Sequence, residues 1–269
     1  MTASDQWPTQ GEREARQAES AEQHDEATDR VAEAVERLSD PERPIEGKER
    51  RRLLAGVAKS IAGSTRSVHA HGLMGWMGGV LEAVTPRLRV RDLETLRAHH
   101  HGLTGEALAD SLVEASSRGS AVVGAAGGAL AAVEYAAPPT LLSVPVQIAA
   151  ETLVVAAIEI KLIAELHEVY GVEVGHTGRQ RGTAYVQAWA KQRGVNALEP
   201  GSLTAALGAG ARRELRQRLL ARLGRNLTTL GPLLTGAVAG GYLNRRGTKR
   251  LAGAVRDDLR GRTLLVTER

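Results

Sequence analysis

The chain has 269 residues, a formal net charge of +4 and 42% apolar residues, enough for a real core in one large domain or two small ones. It has no cysteine, which excludes disulfides, thiolate catalysis and cysteine-based zinc sites. It also has no phenylalanine, and aromatics are only 3%, so alanine, glycine, leucine and valine must fill the core. Small side chains let helix backbones approach closely, and strand-forming material is scarce. The expectation is an all-α multi-helix bundle held by small-residue packing.

Charge is divided along the chain. Residues 1–46 hold 13 acids against 5 bases, and the remainder holds 18 acids against 30 bases. A basic body behind an acidic segment points to an anionic partner: phospholipid, nucleic acid or the acidic segment itself. The acidic N-terminus lacks the basic-then-apolar pattern of an export signal, so a cytoplasmic setting is expected.

Residues 1–45 read as an acidic, disordered tail with a short helix over Asp25–Leu38, where Ala27, Val31, Ala34, Val35 and Leu38 form a weak stripe. The sequence Asp40–Pro44 breaks the chain, and a helical domain is expected over residues 46–262, with 263–269 as a C-terminal tail. Leu53, Leu54, Val57, Ala58 and Ile61 share one helical face, and a glycine-rich apolar segment from Val68 to Val84 stops at Pro86. Two short amphipathic helices are expected on either side of a turn near Gly102. Then comes the long helix Val144–Tyr170, with Pro145 in its first turn and Gly171 as its C-cap. It is apolar nearly all round and should be the buried centre. Glu151, Glu159 and Glu165 punctuate it as candidate pocket-lining groups, with Lys161 and Glu165 spaced to bridge. A helix over Arg179–Arg193 carries Tyr185 and Trp189.

The last third is basic. Leu215, Leu219, Leu223, Leu227 and Leu230 make an apolar stripe, while Arg212, Arg213, Arg216, Arg218, Arg222 and Arg225 cover the remaining surface. This amphipathic pattern suits an anionic lipid surface or a membrane partner. After it, a close-packing helix should start at Pro232, with Gly236, Gly240 and Gly241 for close approach and Asn244 at its end. Arg245, Arg246, Lys249 and Arg250 then form a cationic hinge into a final helix with Leu251, Val255 and Leu259. No segment reads as a membrane span: Leu227–Leu243 is 17 uncharged residues interrupted by Gly231-Pro232, and Val144–Leu166 carries four charges.

No catalytic constellation is found. Gly241 and Gly247 are separated by five residues where a phosphate loop needs four, and Thr248 precedes Lys249. His99, His100 and His101 point about 100° apart on a helix and cannot converge on one metal. Ala164 stands where a di-iron Glu-x-x-His motif ending at His167 would need Glu. No cofactor or metal is therefore expected.

Three segments carry a resemblance: VEYAAPPTLLSVPVQI before the long helix, IAELHEVYGVEV at its end, and GPLLTGAVAGGYLNRRGTKRLAGAV near the C-terminus. In this order they resemble the EcsC family, bacterial proteins often encoded beside, or associated with, membrane transport systems. The resemblance spans roughly Lys48–Arg260 and leaves out the acidic tail. Gly171, Gly236, Gly240, Gly241 and Asn244 match its pattern as packing and capping positions. It implies a helical, membrane-associated or membrane-peripheral protein on the inner face of the cell membrane, without catalytic residues to carry over. The expected function is thus a non-enzymatic, membrane-proximal accessory role. The alternative is a soluble helical protein binding a hydrophobic ligand or nucleic acid.

Overall fold

A computed structural model describes residues 10–41, 43, 45–65, 80–136, 144–174, 178–192 and 232–267. They are almost wholly helical, with no strand among them. The helices are α1 (Gln10–Ser39), α2 (Gly47–Thr65), α3 (Leu93–His99), α4 (Gly105–Ala136), α5 (Val144–Tyr170), α6 (Gly178–Gln192) and α7 (Pro232–Thr267). A 3-10 turn, Thr85–Arg87, lies between α2 and α3, with Pro86 inside it.

Helix α5 is the axis. It touches α1, α2, α3, α4, α6 and α7, and Val146–His167 is buried apart from Thr152. Its ends fall where Pro145 and Gly171 place them. Gly171 has φ 64°, its N–H donates to Glu168 O (3.3 Å) and the Val172 N–H donates to His167 O (3.0 Å). Those two bonds satisfy terminal carbonyls that the helix cannot reach itself, and the left-handed φ suits a residue without Cβ.

Helix α1 takes in the expected Asp25–Leu38 stripe and starts earlier, at Gln10. Pairs at four-residue spacing, Gln10–Glu14 and Arg30–Glu26, accompany its exposed face. Its C-terminal half belongs to the core, since Val31, Ala32, Val35 and Leu38 are buried with Leu54, Val57 and Ile61 of α2.

Two helices run longer than the sequence suggests. The second of the two short helices expected around Gly102 is the 32-residue α4, which continues through Gly119. A Cβ on Gly119 would lie 3.0 Å from Pro41 Cβ, so this glycine serves packing rather than a turn. Likewise, α7 runs unbroken for 36 residues through Asn244 and Arg245–Arg250. There is no hinge there, and Asn244 lies inside the helix rather than at its end. Tertiary contacts to α4 on both sides of Gly247 keep the helix continuous where propensity alone favours a break.

Helices α4 and α7 form the longest pairing and run antiparallel. Gly124 meets Gly240, Ser120 meets Thr248, Glu114 meets Lys249 and Glu106 meets Arg260. At Gly124–Gly240 the backbones touch: a Cβ built on Gly240 would lie 2.5 Å from Gly124 O. Among the described residues, no helix is long and apolar enough to cross a membrane.

Candidate functional site

Three polar constellations stand out, two buried and one at the surface. The first centres on Glu159 of α5, which is fully buried. Trp189 Nε1–H of α6 donates to its Oε2 at 2.9 Å, and Thr248 Oγ1 of α7 lies 3.0 Å from its Oε1. Thr248 Oγ1 is also 2.9 Å from Ser120 Oγ of α4, and both hydroxyls are fully buried. One hydroxyl carries one proton, so around an ionised Glu159 the consistent arrangement is Ser120 donating to Thr248 and Thr248 donating to Glu159. Four helices thus meet at one carboxylate.

The second is a charge quartet on the opposite flank of α5. Lys161 Nζ is 2.5 Å from Glu165 Oε1, and both are buried. Arg91 reaches Glu165 Oε1 at 3.4 Å and Asp40 Oδ2 at 3.2 Å, and Lys161 lies 3.9 Å from Asp40. Two cations face two anions, so the buried charge balances where an unmatched ion would be costly. Glu151, the third punctuating acid, is buried against α4 in the space that Gly127 leaves by lacking a Cβ. The three acids therefore face three different neighbours and do not converge on one cavity.

Histidines take separate roles. His167 Nδ1–H donates to Ile163 O at 2.7 Å, and its ring meets Tyr185 edge-on at 5.4 Å. Burial pushes its pKa down. His100 Nδ1 is hydrogen-bonded to Ser111 Oγ at 2.8 Å, while His99 and His101 are exposed.

The third constellation lies along α4 and α7 at the surface. Glu114 Oε1 is 2.8 Å from Arg118 Nε and 2.5 Å from Arg245 Nη2, and its Oε2 is 2.8 Å from Lys249 Nζ. Hydrogen bonds from Lys249 and Arg118, with the charge of Arg245, hold the Glu114 pKa down at about 2. Further along, Glu106 is bound by Arg260, Arg256 and Tyr170 OH and lies well below the usual carboxylate range. Beside Glu114, the outer face of α7 presents Val238, Tyr242, Arg246 and Arg250 at four-residue intervals, over about 18 Å of helix. Val238 and Tyr242 are 70% and 60% exposed. Arg246 and Arg250 are exposed and make no ion pair among the described residues. No acid occurs between Pro232 and Arg256.

Of the cations singled out in the sequence, Arg245, Arg246, Lys249 and Arg250 share this side of α7. Arg212, Arg213, Arg216, Arg218, Arg222 and Arg225 lie outside the described residues. Gly240, Gly241 and Asn244 face α4, and the amide nitrogen of Asn244 is buried with no hydrogen-bond partner among the described residues. Gly236 lies in the first turns of α7. Sequence reasoning passed over Glu114 and Glu106, whose cationic partners on α7 lie more than 130 positions away, and the exposed pair Val238 and Tyr242. The one available signal was the spacing Glu114-Arg118, which marks an ion pair but not its distant members.

The two surface carboxylates set an acid response. Both have folded pKa values below their ordinary 4.5, so their contribution to α4–α7 pairing is complete above that value and is lost as pH falls toward 2. The effect should be modest, because the pairs are solvated and screened by salt. Melting temperature measured against pH should fall across this window. It should fall less in an E106Q/E114Q double variant, and an equal slope in both proteins would refute the assignment.

Compared with protein-family models, curated proteins and solved structures, the chain matches none.

Proposed function

We propose that the protein is a non-enzymatic, membrane-proximal accessory protein of EcsC type that docks on an anionic lipid surface through the outer face of α7. The observation that carries this reading is the continuity of one exposed helix face, with Val238 and Tyr242 followed at helical spacing by Arg246 and Arg250 and with no intervening acid. An apolar and aromatic end seats at the headgroup–acyl boundary, and the cations meet lipid phosphates. The leucine- and arginine-striped stretch Arg212–Arg225 has the same chemistry in sequence and would extend the contact. A nucleic-acid backbone would use the arginines and gain little from Val238.

The test is co-sedimentation of the full chain with phosphatidylcholine vesicles, with and without phosphatidylglycerol, over a salt series. Binding is expected only with the anionic lipid, and it should weaken as salt rises. Each cation at such a surface contributes about 1 kcal/mol, so R246Q/R250Q should bind roughly 30-fold more weakly. V238S/Y242S should also lose vesicle binding, by about ten-fold or more if either side chain is fully buried in the interface. Absence of wild-type binding at low salt would refute the reading. So would a protein that binds duplex DNA as tightly as vesicles and does not respond to V238S/Y242S.

A further inference from the structure

We propose that Glu114 is a built-in competitor for the lipid surface: an internal anion that gathers Arg118, Arg245 and Lys249 and gives them up to lipid phosphates on docking. This inference rests on the reading of the α7 face above and adds its regulation.

The geometry sets one carboxylate against three cations. Its two oxygens take Arg118 and Arg245 on one side and Lys249 on the other, at 2.5–2.8 Å. The local surplus is therefore two positive charges, beside the two of Arg246 and Arg250. The cations come from two helices, and only Glu114 brings them to one point. None of them is committed by burial: Arg118 is 70% exposed, and Arg245 and Lys249 are each 45% exposed. Ion pairs this solvated are individually weak, so a dense array of phosphates can displace the single carboxylate. A free phosphate, arriving alone at millimolar concentration, has no such advantage of local density. Tyr242 and Val238 lie on the same helix within two turns of Arg245, so a surface that accepts their side chains also reaches the cluster.

If Glu114 competes, removing its charge should strengthen docking. Glu114→Gln should bind phosphatidylglycerol-containing vesicles about five-fold more tightly for each cation that transfers to the surface. Glu114→Asp keeps the charge but shortens the reach, and it should fall between wild type and Glu114→Gln. The control is Asp110→Asn, one helical turn away on α4, where the acid pairs with Arg256 instead. It changes net charge by the same amount without freeing the cluster, so it should change affinity much less. Circular dichroism and melting of each variant establish that the chain is folded. Addition of inorganic phosphate to the vesicle assay should reverse binding no better than chloride at equal ionic strength. If it does so at far lower ionic strength, the ligand is a free phosphate, and the lipid version falls.

The outcomes separate the two ideas. If wild type and all variants ignore anionic vesicles, the α7 docking face itself is wrong. If wild type binds and Glu114→Gln binds equally or more weakly, docking stands and the competition falls. Equal gains from Glu114→Gln and Asp110→Asn also overturn it, because the effect is then general electrostatics.

Discussion

Gly240→Ala is expected to destabilise the protein, whereas Gly247→Ala and Gly253→Ala on the same helix are expected to stabilise it. All three gain helix propensity, by up to about 1 kcal/mol each. At Gly247 and Gly253 an added Cβ meets nothing within 4 Å among the described residues, so that gain is unopposed. At Gly240 the Cβ would fall 2.5 Å from Gly124 O and 3.1 Å from the Gly124 carbonyl carbon. Relaxed contacts need about 3.5 Å, so α4 and α7 would have to part by roughly 1 Å. The obstructing atoms are backbone and cannot swing aside. The pair is also tied along its length by Ser120–Thr248, Glu114–Lys249 and Glu106–Arg260. Overpacking of this kind costs about 1–3 kcal/mol, and more where the structure cannot yield. Gly124→Ala should behave like Gly240→Ala, since its Cβ would meet Gly240 O at 2.5 Å and Asn244 Nδ2 at 2.6 Å. Denaturant midpoints measure the sign directly. A Gly240→Ala protein as stable as Gly247→Ala would mean that the two backbones are not in contact.

The same residues show what the sequence discloses. Helix α5 was legible end to end because Pro145 and Gly171 punctuate an unbroken apolar run, and Lys161–Glu165 because its pairing is local. Gly240 and Gly241 were legible as close-packing glycines, but their meeting with α4 was not, since nothing local records which helix faces pair. Local signals misled where tertiary contacts overrule them. Asn244 and Gly247 look like a stop, yet Arg245, Thr248 and Lys249 are each fastened to α4, so the helix continues. The helix after Gly102 looks short, yet it runs on through Gly119, the position where α4 admits Pro41. The polar N-terminal stretch lacks an apolar stripe before Ala27 and reads as a tail, although α1 carries i,i+4 polar pairs from Gln10 onward. The cationic face was half legible: the cations of α7 stand in sequence, but Glu114, which pairs with Arg245 and Lys249 and not with Arg246 or Arg250, comes from another helix.

The remaining large effect lies at Glu159. Its carboxylate receives Trp189 Nε1–H and the Thr248 hydroxyl in a region closed to water, and Ser120 completes the chain of donors. Glu159→Ala removes the acceptor, so Trp189 Nε1–H loses it in the buried core, and the Thr248 hydroxyl can only turn back on Ser120 Oγ. A stranded group costs about 1–3 kcal/mol, in addition to the cavity left by the side chain. The lost Trp189 bond and the cavity together are a sizeable fraction of the stability of an ordinary domain, about 5–15 kcal/mol. Glu159→Gln should be far milder. The amide oxygen still accepts from Trp189, and the amide nitrogen donates to Thr248, whose hydroxyl then turns to donate to Ser120. The chain of hydrogen bonds survives with its direction reversed between Thr248 and Ser120. Thr248→Val should therefore be costly in the wild-type background and comparably costly beside Glu159→Gln, but less costly beside Glu159→Ala, where the acceptor is already gone. A double-mutant cycle by urea denaturation isolates that coupling. Additive effects of Glu159→Ala and Thr248→Val would show that the hydroxyl does not serve the carboxylate. Glu159 would then serve Trp189 of α6 and not the α4–α7 pair.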